Sequence, residues 1–361
     1  MIEKKIKEVD EKIYECFKRI PFISYLTPIN LDSEKNDFLL QKKINPEFTY
    51  KEPSKQILEA EKELKKIKIP KNFLKDLFEK RKKELLEQIK IIKNLNNENP
   101  KTKEISSRLY GWPNKKTIDY SKKLLNKPFT NSEVYEFSSE VLFEKIKKKI
   151  KKKSLCDWEV YYFNGKITQT TSSKKIFIPK NKIFSKLDIK RLPVHEVEIH
   201  ATRYENSYKQ PLKIFLYGFP GFLQTEEGLA VFIEEKTRNK NKASFRDYAG
   251  RVFAIQCLKK GDDFRNCFEK LKELSFSDEK AWDITFKIYR GEGFVKDHIY
   301  LQGYLSIKEF FKNKGELKKL FIGKIGINDL ETIKKLEEKN LINKKLIYPS
   351  FLERIIKTNN N

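Results

Sequence analysis

The sequence predicts an α+β fold that is mainly helical, and three observations support this prediction. Apolar residues recur at helical spacing over most of the 361-residue chain. One short region, residues 156–179, is rich in aromatic and β-branched residues and predicts a few strands instead. The hydrophobic fraction of 39%, which includes 27 phenylalanines, is large enough to form a buried core.

The first 100 residues predict a layer of amphipathic helices. In residues 2–19 the apolar positions share one helical face: Ile6, Val9, Ile13 and Cys16. Residues 54–67 and 71–93 have the same periodicity. Residues 94–103 are polar and contain a proline, so they predict a loop and a domain boundary. We therefore expect two domains, a helical layer at 1–100 and a larger domain at 101–361.

The larger domain is expected to begin with two helices, at residues 114–125 and 131–153. The second of these ends in a lysine run, K-I-K-K-K-I-K-K-K, in which Ile146 and Ile150 keep one apolar stripe. A solvated helix face explains this run, and a patch that binds nucleic acid or a membrane surface is the alternative.

A small antiparallel sheet is predicted next. The dipeptide Asn164-Gly165 favours a two-residue type I′ turn, so residues 158–163 should pair with residues 166–170 in a hairpin. Residues 174–179 predict a third strand. Such a sheet is either plain scaffold or an edge to which an extended peptide adds as another strand.

Two of the three histidines lie close together in V-H-E-V-E-I-H-A, with an acidic residue after the first. His195, His200 and Glu196 thus form an H-E-x-x-x-H motif. Positions i and i+5 of an α-helix are offset by about 140°, so a regular helix would point the two imidazoles apart. Both can reach one metal ion if the helix contains a π-bulge or unwinds at His200. The alternative is two ordinary helix residues beside acidic neighbours.

A second acidic pair follows in Q-T-E-E-G-L-A. Thr225 is a candidate N-cap, which would place Glu226 and Glu227 in the first turn of a helix, where the helix dipole favours carboxylates. Gly228 and Ala230 would keep this turn thin enough for close approach of another helix. A well-capped helix start explains the segment without a metal.

These two motifs resemble a known family. H-E-V-E-I-H and E-E-G-L-A are similar to the bacterial proteins named for a Q-E-G-L-A motif, also called flavohaemoglobin-expression-modulating, which are related to the microtubule-associated tyrosine carboxypeptidases. Further similar motifs lie between residues 105 and 340: S-R-L-Y-G-W-P at 107–113, R-x-x-N at 203–206, Q-P at 210–211, Y-G at 217–218 and F-V-K-D-H-I-Y-L-Q-G at 294–303.

The resemblance implies a zincin-like metallopeptidase core with one Zn²⁺. It implies that the metal ligands are His195, His200 and Glu227, and that Glu196 is the general base. Glu226 stands where the bacterial motif has glutamine, so the ligand is either Glu226 or Glu227, and we select Glu227. No resemblance extends to the first 100 residues.

Four further residues are candidates for contact with the substrate. Arg203 lies three residues after His200, on nearly the same helical face, and is expected to hold a substrate carboxylate, to orient Glu227 or to form a structural ion pair. The segment after Gly291 and Gly293 offers Lys296 and Tyr300 as oxyanion candidates, and His298 as a fourth metal ligand or a proton donor. A glycine-loosened helix start explains that segment equally well.

The large net charge of the chain gives little information about its partners. The net charge is +26, but only 11 of the 77 basic residues are arginine, the residue that makes bidentate contacts with phosphate. An AT-rich genome explains the lysine excess, so nucleic acid is not the expected partner. No apolar run of about 20 residues predicts a membrane span, and residues 1–10 lack the apolar core of a secretory signal. We expect a cytoplasmic protein with no membrane partner.

The sequence thus predicts a zinc-dependent, carboxypeptidase-like enzyme. Its expected partner is a peptide or the C-terminal tail of a protein, acidic tails included. One alternative is a non-catalytic regulator that binds nucleic acid or an acidic protein through its lysine-rich surface. Another is a metal-dependent hydrolase of a non-peptide amide, because the same ligands activate water for either substrate.

Overall fold

The computed structural model describes residues 4–98, 100–129, 133–165, 167–171 and 173–358. The chain divides into two units, each of which contains segments distant in sequence. The first unit consists of residues 129–242 and 303–358, and the second consists of residues 4–128 and 243–302, within the described ranges. The boundary predicted near residue 100 falls inside the second unit. The division into a helical layer and a catalytic domain stays a prediction.

Helices dominate the structure, as predicted. The α-helices are α1 (Lys4–Lys18), α2 (Phe22–Tyr25), α3 (Leu31–Leu39), α4 (Lys55–Lys66), α5 (Lys75–Asn94), α6 (Thr102–Tyr110), α7 (Lys115–Leu125), α8 (Ser139–Lys152), α9 (Lys186–Pro193), α10 (Thr202–Tyr208), α11 (Ile214–Tyr217), α12 (Phe222–Lys236), α13 (Lys242–Lys260), α14 (Phe264–Glu273), α15 (Asp278–Tyr289), α16 (Ile299–Lys312), α17 (Leu330–Glu338) and α18 (Leu352–Lys357). A π-helix, Val194–Ala201, joins α9 to α10, and short 3₁₀ turns lie at Arg290–Glu292, Val295–His298, Leu317–Phe321 and Ile327–Asp329. Among these described helices, none is both long and apolar enough to span a bilayer.

Among the residues that the structure describes, five short strands form two small sheets in the first unit. The strands are β1 (Tyr135–Phe137), β2 (Glu159–Phe163), β3 (Gln169–Thr170), β4 (Lys175–Pro179) and β5 (Phe184–Ser185). β1 pairs with β5 in an antiparallel sheet. The other sheet has the order β2-β4-β3, in which β2 is parallel and β3 antiparallel to β4. The fold is therefore mainly helical α+β, as the sequence predicted.

The predicted hairpin pairing was wrong. Asn164 and Gly165 lie at a bend, but β4 lies between β2 and β3, so β2 and β3 do not pair with each other. Lys166, which the prediction placed in the second strand, lies outside the described residues. The central strand β4 carries Ile176 and Ile178, both fully buried, and burial of these side chains outweighs the local turn preference.

In the second unit an aromatic cluster joins the N-terminal helices to α14 and α15. Phe38 of α3 contacts the rings of Phe264, Phe268 and Trp282, with centroid distances of 5.0, 4.9 and 5.0 Å. Each large ring removes apolar surface from water and stabilises the unit mainly through the hydrophobic effect. Residues 4–128 therefore share a core with residues 243–302.

The lysine run at the end of α8 has both structural and solvated lysines. Leu142, Ile146 and Ile150 form the predicted apolar stripe and are buried. Lys149 and Lys153 pair with the buried Glu198 of the same unit, at 3.1 and 3.2 Å. Burial opposes ionisation of Glu198, but these two lysines outweigh it and lower the pKa of its carboxyl. Part of the run therefore stabilises the π-helix.

The close approach predicted at Gly228 is confirmed. A Cβ on Gly228 of α12 would lie 2.1 Å from the backbone carbonyl carbon of Gly303 in α16. A Cβ on Gly303 would lie 2.0 Å from the carbonyl oxygen of Gln224. Any larger residue at either position would push the two helix backbones apart, because backbone atoms cannot rotate away as a side chain can.

Gly228→Ala is expected to destabilise the protein by about 3 kcal/mol, the upper part of the usual cost of overpacking. The matched control is Gly250→Ala in α13, where a Cβ would meet only the ends of the Ile284 and Phe276 side chains, at 2.9 Å. Those ends can shift, and alanine is favoured over glycine in helices by about 1 kcal/mol. Urea unfolding of both variants measures the difference. Equal losses would contradict the proposed role of the helix contact.

Candidate metal centre

The H-E-x-x-x-H motif lies on the π-helix Val194–Ala201, which confirms the predicted distortion. Ser185 caps the preceding helix α9 through a capping box with Asp188, and α9 ends at Pro193. Proline has no N–H to continue the α-helical hydrogen bonds, so the pattern changes at this residue. The wider turn of a π-helix brings side chains five residues apart much closer in direction than an α-helix does. The rings of His195 and His200 accordingly lie 4.7 Å apart.

Helix α12 supplies the acidic side chains that face these imidazoles. The helix begins at Phe222, with Gly221 as its N-cap in the left-handed region (φ 70°). The predicted N-cap, Thr225, lies inside the helix instead. Its Oγ1 accepts a hydrogen bond from the N–H of Ile327 at 3.0 Å. The prediction was wrong by one turn because Pro220-Gly221 makes a turn that lets the apolar Phe222 start the helix.

Three side chains converge where a metal ion could bind. One potential ligand atom from each of His195, His200 and Glu227 lies within 4.8 Å of the other two. The distance from Nε2 of His195 to Oε2 of Glu227 is 3.9 Å. Two imidazoles and a carboxylate are the donor set of many hydrolytic zinc sites. The side chains of Glu227 and His200 remain 15% and 12% exposed, which leaves an approach from solvent.

Two further carboxylates of α12 hold the outer nitrogens of the imidazoles. Nδ1 of His195 lies 2.7 Å from Oε1 of Glu234, and Nδ1 of His200 lies 2.8 Å from Oε1 of Glu226. A carboxylate accepts a hydrogen bond from Nδ1–H, so in the neutral form of each ring Nε2, on the other side, carries the lone pair. Glu226 and Glu234 therefore orient the rings, whereas Glu227 lies beside His195 Nε2.

The electrostatic potential at the cluster of His195, His200 and Glu227 is negative. Burial opposes charging of His200, but the hydrogen bond and charge of Glu226, together with Glu227 and Glu196, outweigh it and raise the pKa of its imidazole to about 9. Burial likewise opposes ionisation of Glu226, yet Arg203 and His200 lower the pKa of its carboxyl to about 2. Such a field favours a cation, and a divalent metal competes with the proton for the imidazole.

Glu196 is held by a threonine from the small sheet. Oγ1 of Thr170, on strand β3, donates a hydrogen bond to Oε2 of Glu196 at 2.6 Å. Glu196 is 4% exposed. The bond fixes one carboxylate oxygen and leaves Oε1 available for another partner. The sheet thus positions the acidic residue of the motif.

Arg203 anchors Glu226 rather than Glu227. Its guanidinium is fully buried and donates to Oε2 of Glu226. It also donates to the carbonyl oxygens of Gly323 and Ile325, at 2.8 and 2.7 Å. Its position three residues after His200 therefore serves to fix the carboxylate that holds that histidine. All these contacts lie within the first unit.

The other three candidates, Lys296, His298 and Tyr300, belong to the second unit. Nδ1 of His298 lies 2.7 Å from the carbonyl oxygen of Val295, and burial lowers the pKa of this fully buried imidazole. Lys296 lies 3.6 Å from Asp297, and the ring of Tyr300 stacks on another tyrosine. Contact of these three residues with a substrate stays a prediction.

Glu234 and Thr170 were not identified from the sequence. Glu234 lies seven residues after Glu227, and two turns of an α-helix return a side chain to nearly the same direction, so the spacing was a usable signal. Thr170 had no such signal. Its contact with Glu196 depends on the position of β3 at the edge of the sheet, which the incorrect hairpin pairing obscured.

Comparison with known proteins gives one family and one structural neighbour. The sequence model of the family described as "Microtubule-associated tyrosine carboxypeptidase" matches residues 36–361, so it extends into the first 100 residues, where the motifs had shown no resemblance. No curated protein matches. A solved structure titled "The crystal structure of the putative lipoprotein from Colwellia psychrerythraea" is 13% identical, with a TM-score of 0.46. The match covers 84% of this chain and 66% of that one, so this chain spans slightly less than two thirds of the neighbour's length.

Proposed function

This chain belongs to the microtubule-associated tyrosine carboxypeptidase family, and from that premise we propose that it is a zinc-dependent carboxypeptidase. The observation that carries the proposal is the convergence of His195, His200 and Glu227, whose potential ligand atoms lie within 4.8 Å of one another. Glu196 lies between the two histidines in the sequence, on the same π-helix. We also propose that the chain belongs to the bacterial Q-E-G-L-A branch of the family, because its H-E-x-x-x-H and E-E-G-L-A motifs resemble those of that branch.

His195, His200 and Glu227 would hold the metal ion. When bound, zinc polarises a substrate carbonyl and lowers the pKa of a water molecule toward neutrality. The residues of the chain fit this role because both histidines keep their Nδ1 atoms on carboxylates, at 2.7 and 2.8 Å, which commits both Nε2 atoms to the ion. Partial solvent exposure of His200 and Glu227 supports a catalytic rather than a closed structural site.

Glu196 would act as the general base. Thr170 occupies Oε2 with a hydrogen bond of 2.6 Å, so Oε1 is the oxygen that would accept the proton of the attacking water. The same oxygen would then return a proton to the leaving amine. Because Glu196 is almost fully buried, its carboxylate is fixed in one orientation and little reorganisation is needed during the reaction.

The substrate would approach along strand β3. Among the strands that the structure describes, β3 is at one edge of the sheet, and its Thr170 touches Glu196. An extended C-terminal tail that adds to this edge would present its backbone carbonyl beside the general base. The net charge of +26 favours an acidic tail over a basic one.

Removal of the metal tests the proposal. Purified protein should contain about one zinc ion per chain and should release the last residue of a peptide with a free C-terminus. Dialysis against dipicolinate should abolish this activity, and added zinc should restore it. The same peptide with an amidated C-terminus is the control and should stay intact. A protein that contains no zinc, or that cleaves equally well after chelation, would contradict the proposal; salt-sensitive binding of RNA would then favour the regulator.

A further inference from the structure

The second unit contains a cluster of basic side chains around one buried carboxylate. Asp297 is 5% exposed, and its oxygens lie 3.6 Å from Nζ of Lys296 and 4.0 Å from Nη1 of Arg251. Arg290 and Lys287 also act on Asp297 electrostatically. Four cations therefore face one carboxylate, and together they hold its pKa well below the usual range although burial opposes this.

Other nearby carboxylates do not remove the positive excess. Asp247 acts on Arg251 but pairs with Lys280 at 2.6 Å. Asp283 acts on Lys287. Lys287 loses its proton readily and is left out of the count, but Lys280 must be counted with its partner Asp247. Four cations, Arg251, Arg290, Lys296 and Lys280, then still outnumber three carboxylates. Partly buried positive charge without compensation is costly to the folded protein, so the cluster is suited to an anionic partner.

Two arginines of the cluster have donors that the protein leaves unused. Within the described part of the chain, no hydrogen-bond acceptor lies within reach of the buried Nε atoms of Arg251 and Arg290. Buried donors are nearly always paired in folded proteins. An oxygen-rich anion would satisfy them.

The field that these residues produce is visible in a neighbouring lysine. The charge of Arg251 is the largest cause that lowers the pKa of Lys287, to about 7, and burial adds to it. This low pKa shows that the surrounding cations make a further positive charge at Lys287 unfavourable. The cluster attracts negative charge for the same reason.

Aromatic rings fix the geometry of one arginine. Tyr248 and Tyr300 stack with a centroid distance of 5.1 Å and an interplanar angle of 8°. The guanidinium carbon of Arg251 lies 5.2 and 5.0 Å from the two ring centres. Its side chain is 13% exposed and that of Lys296 is 11% exposed, so both can be reached from solvent. A planar guanidinium held in this way suits the planar fork of a carboxylate.

We propose that Arg251, Arg290 and Lys296 form a binding site for an oxyanion, and that its occupant is the terminal carboxylate of a peptide chain. The choice of a peptide terminus over inorganic phosphate rests on the proposed carboxypeptidase function. The site itself does not depend on that function, because its residues are independent of the metal ligands. In this site Arg251 supplies the fork, and Lys296 supplies a point charge.

Calorimetric titration tests the proposal without turnover. The full chain carrying Glu196→Gln is titrated with an acetylated tripeptide that ends in tyrosine, with its C-terminal amide and with inorganic phosphate. The free acid is expected to bind at least ~10-fold more tightly than the amide, a difference of about 1.4 kcal/mol. Arg251→Gln and Lys296→Gln should each reduce this preference, and Arg251→Lys should retain part of it. Lys260→Gln, at an exposed lysine of the same unit, is the matched control.

The possible outcomes distinguish failure of the oxyanion site from failure of the proposed peptidase activity. Equal binding of acid, amide and phosphate to the Glu196→Gln chain with and without the Arg251→Gln or Lys296→Gln substitution would overturn the site. Phosphate binding that depends on Arg251, with no preference for the acid over the amide, would keep the oxyanion site and overturn the peptide terminus as its occupant. Thermal unfolding measures whether each variant is folded. If Arg251→Gln does not fold, Lys296→Gln still tests the site. If the purified protein contains no zinc but still binds the free acid more tightly than the amide, the proposed zinc peptidase activity is refuted and the oxyanion site is not.

Discussion

Glu227→Gln is expected to lose its zinc during purification, whereas Glu226→Gln is expected to keep zinc with an affinity lowered roughly 10- to 100-fold. Glu227 lies 3.9 Å from Nε2 of His195, the nitrogen that would face the ion. Glu226 contacts Nδ1 of His200 and the guanidinium of Arg203 instead. The two substitutions are chemically identical and adjacent in the chain. Any difference between them therefore reports the direction of each side chain.

Elemental analysis after dialysis against graded concentrations of a chelator measures both affinities. The Glu226 variant also leaves the buried Arg203 without its carboxylate, so its melting temperature should fall. The Glu227 variant removes a side chain that is 15% exposed, and its zinc-free form should unfold near the temperature of zinc-free wild-type protein. If Glu226→Gln lost zinc and Glu227→Gln retained it, the two carboxylates would have the opposite roles.

Local spacing predicted the parts of the site that a single helix determines. An i, i+5 pair of histidines cannot share the face of a regular α-helix, so a metal site required a distortion, and the π-helix provides it. Gly228 was identified because a residue without a side chain allows close helix approach, and this holds although it lies in the second turn of α12 and not in the predicted first turn. Both inferences need only the geometry of the helix itself.

Contacts that depend on tertiary structure were not available from the sequence. The Asn164-Gly165 turn favours a hairpin locally, but the buried Ile176 and Ile178 make β4 the central strand. That exchange brings Thr170 to the edge beside Glu196. Local residue preferences for β-structure span about 1 kcal/mol, less than the burial of two isoleucines contributes, so the global arrangement prevails.

The assignment of Arg203 shows the same limit. Its spacing from His200 correctly placed both on one side of the helix, but the spacing could not show which acceptor the guanidinium would meet. Carbonyl oxygens of Gly323 and Ile325, more than a hundred residues later in the chain, take two of its donors. A buried arginine with three acceptors is a structural anchor. Helical spacing alone cannot distinguish such an anchor from an arginine that binds substrate.

Glu196→Gln is expected to lower kcat by about 10²- to 10⁴-fold, the usual contribution of a general base, and to leave zinc bound. Glutamine has the shape of glutamate, and its amide oxygen can still accept the hydrogen bond from Thr170. It cannot accept the proton of the attacking water. The variant should therefore bind substrate with nearly unchanged KM, because the lost interaction acts in the transition state.

The matched control for this experiment is Glu198→Gln on the same π-helix. Glu198 is equally buried but faces Lys149, Lys153 and Ser350, where its loss leaves two lysines without their carboxylate. Its variant should lower the melting temperature and leave kcat close to the wild-type value, the reverse of the pattern expected for Glu196. A loss of kcat that is equal in both variants would indicate damage to the π-helix and would remove the case for Glu196 as the base. A fully active Glu196→Gln variant would have the same consequence, since no proton acceptor would then be required at Oε1.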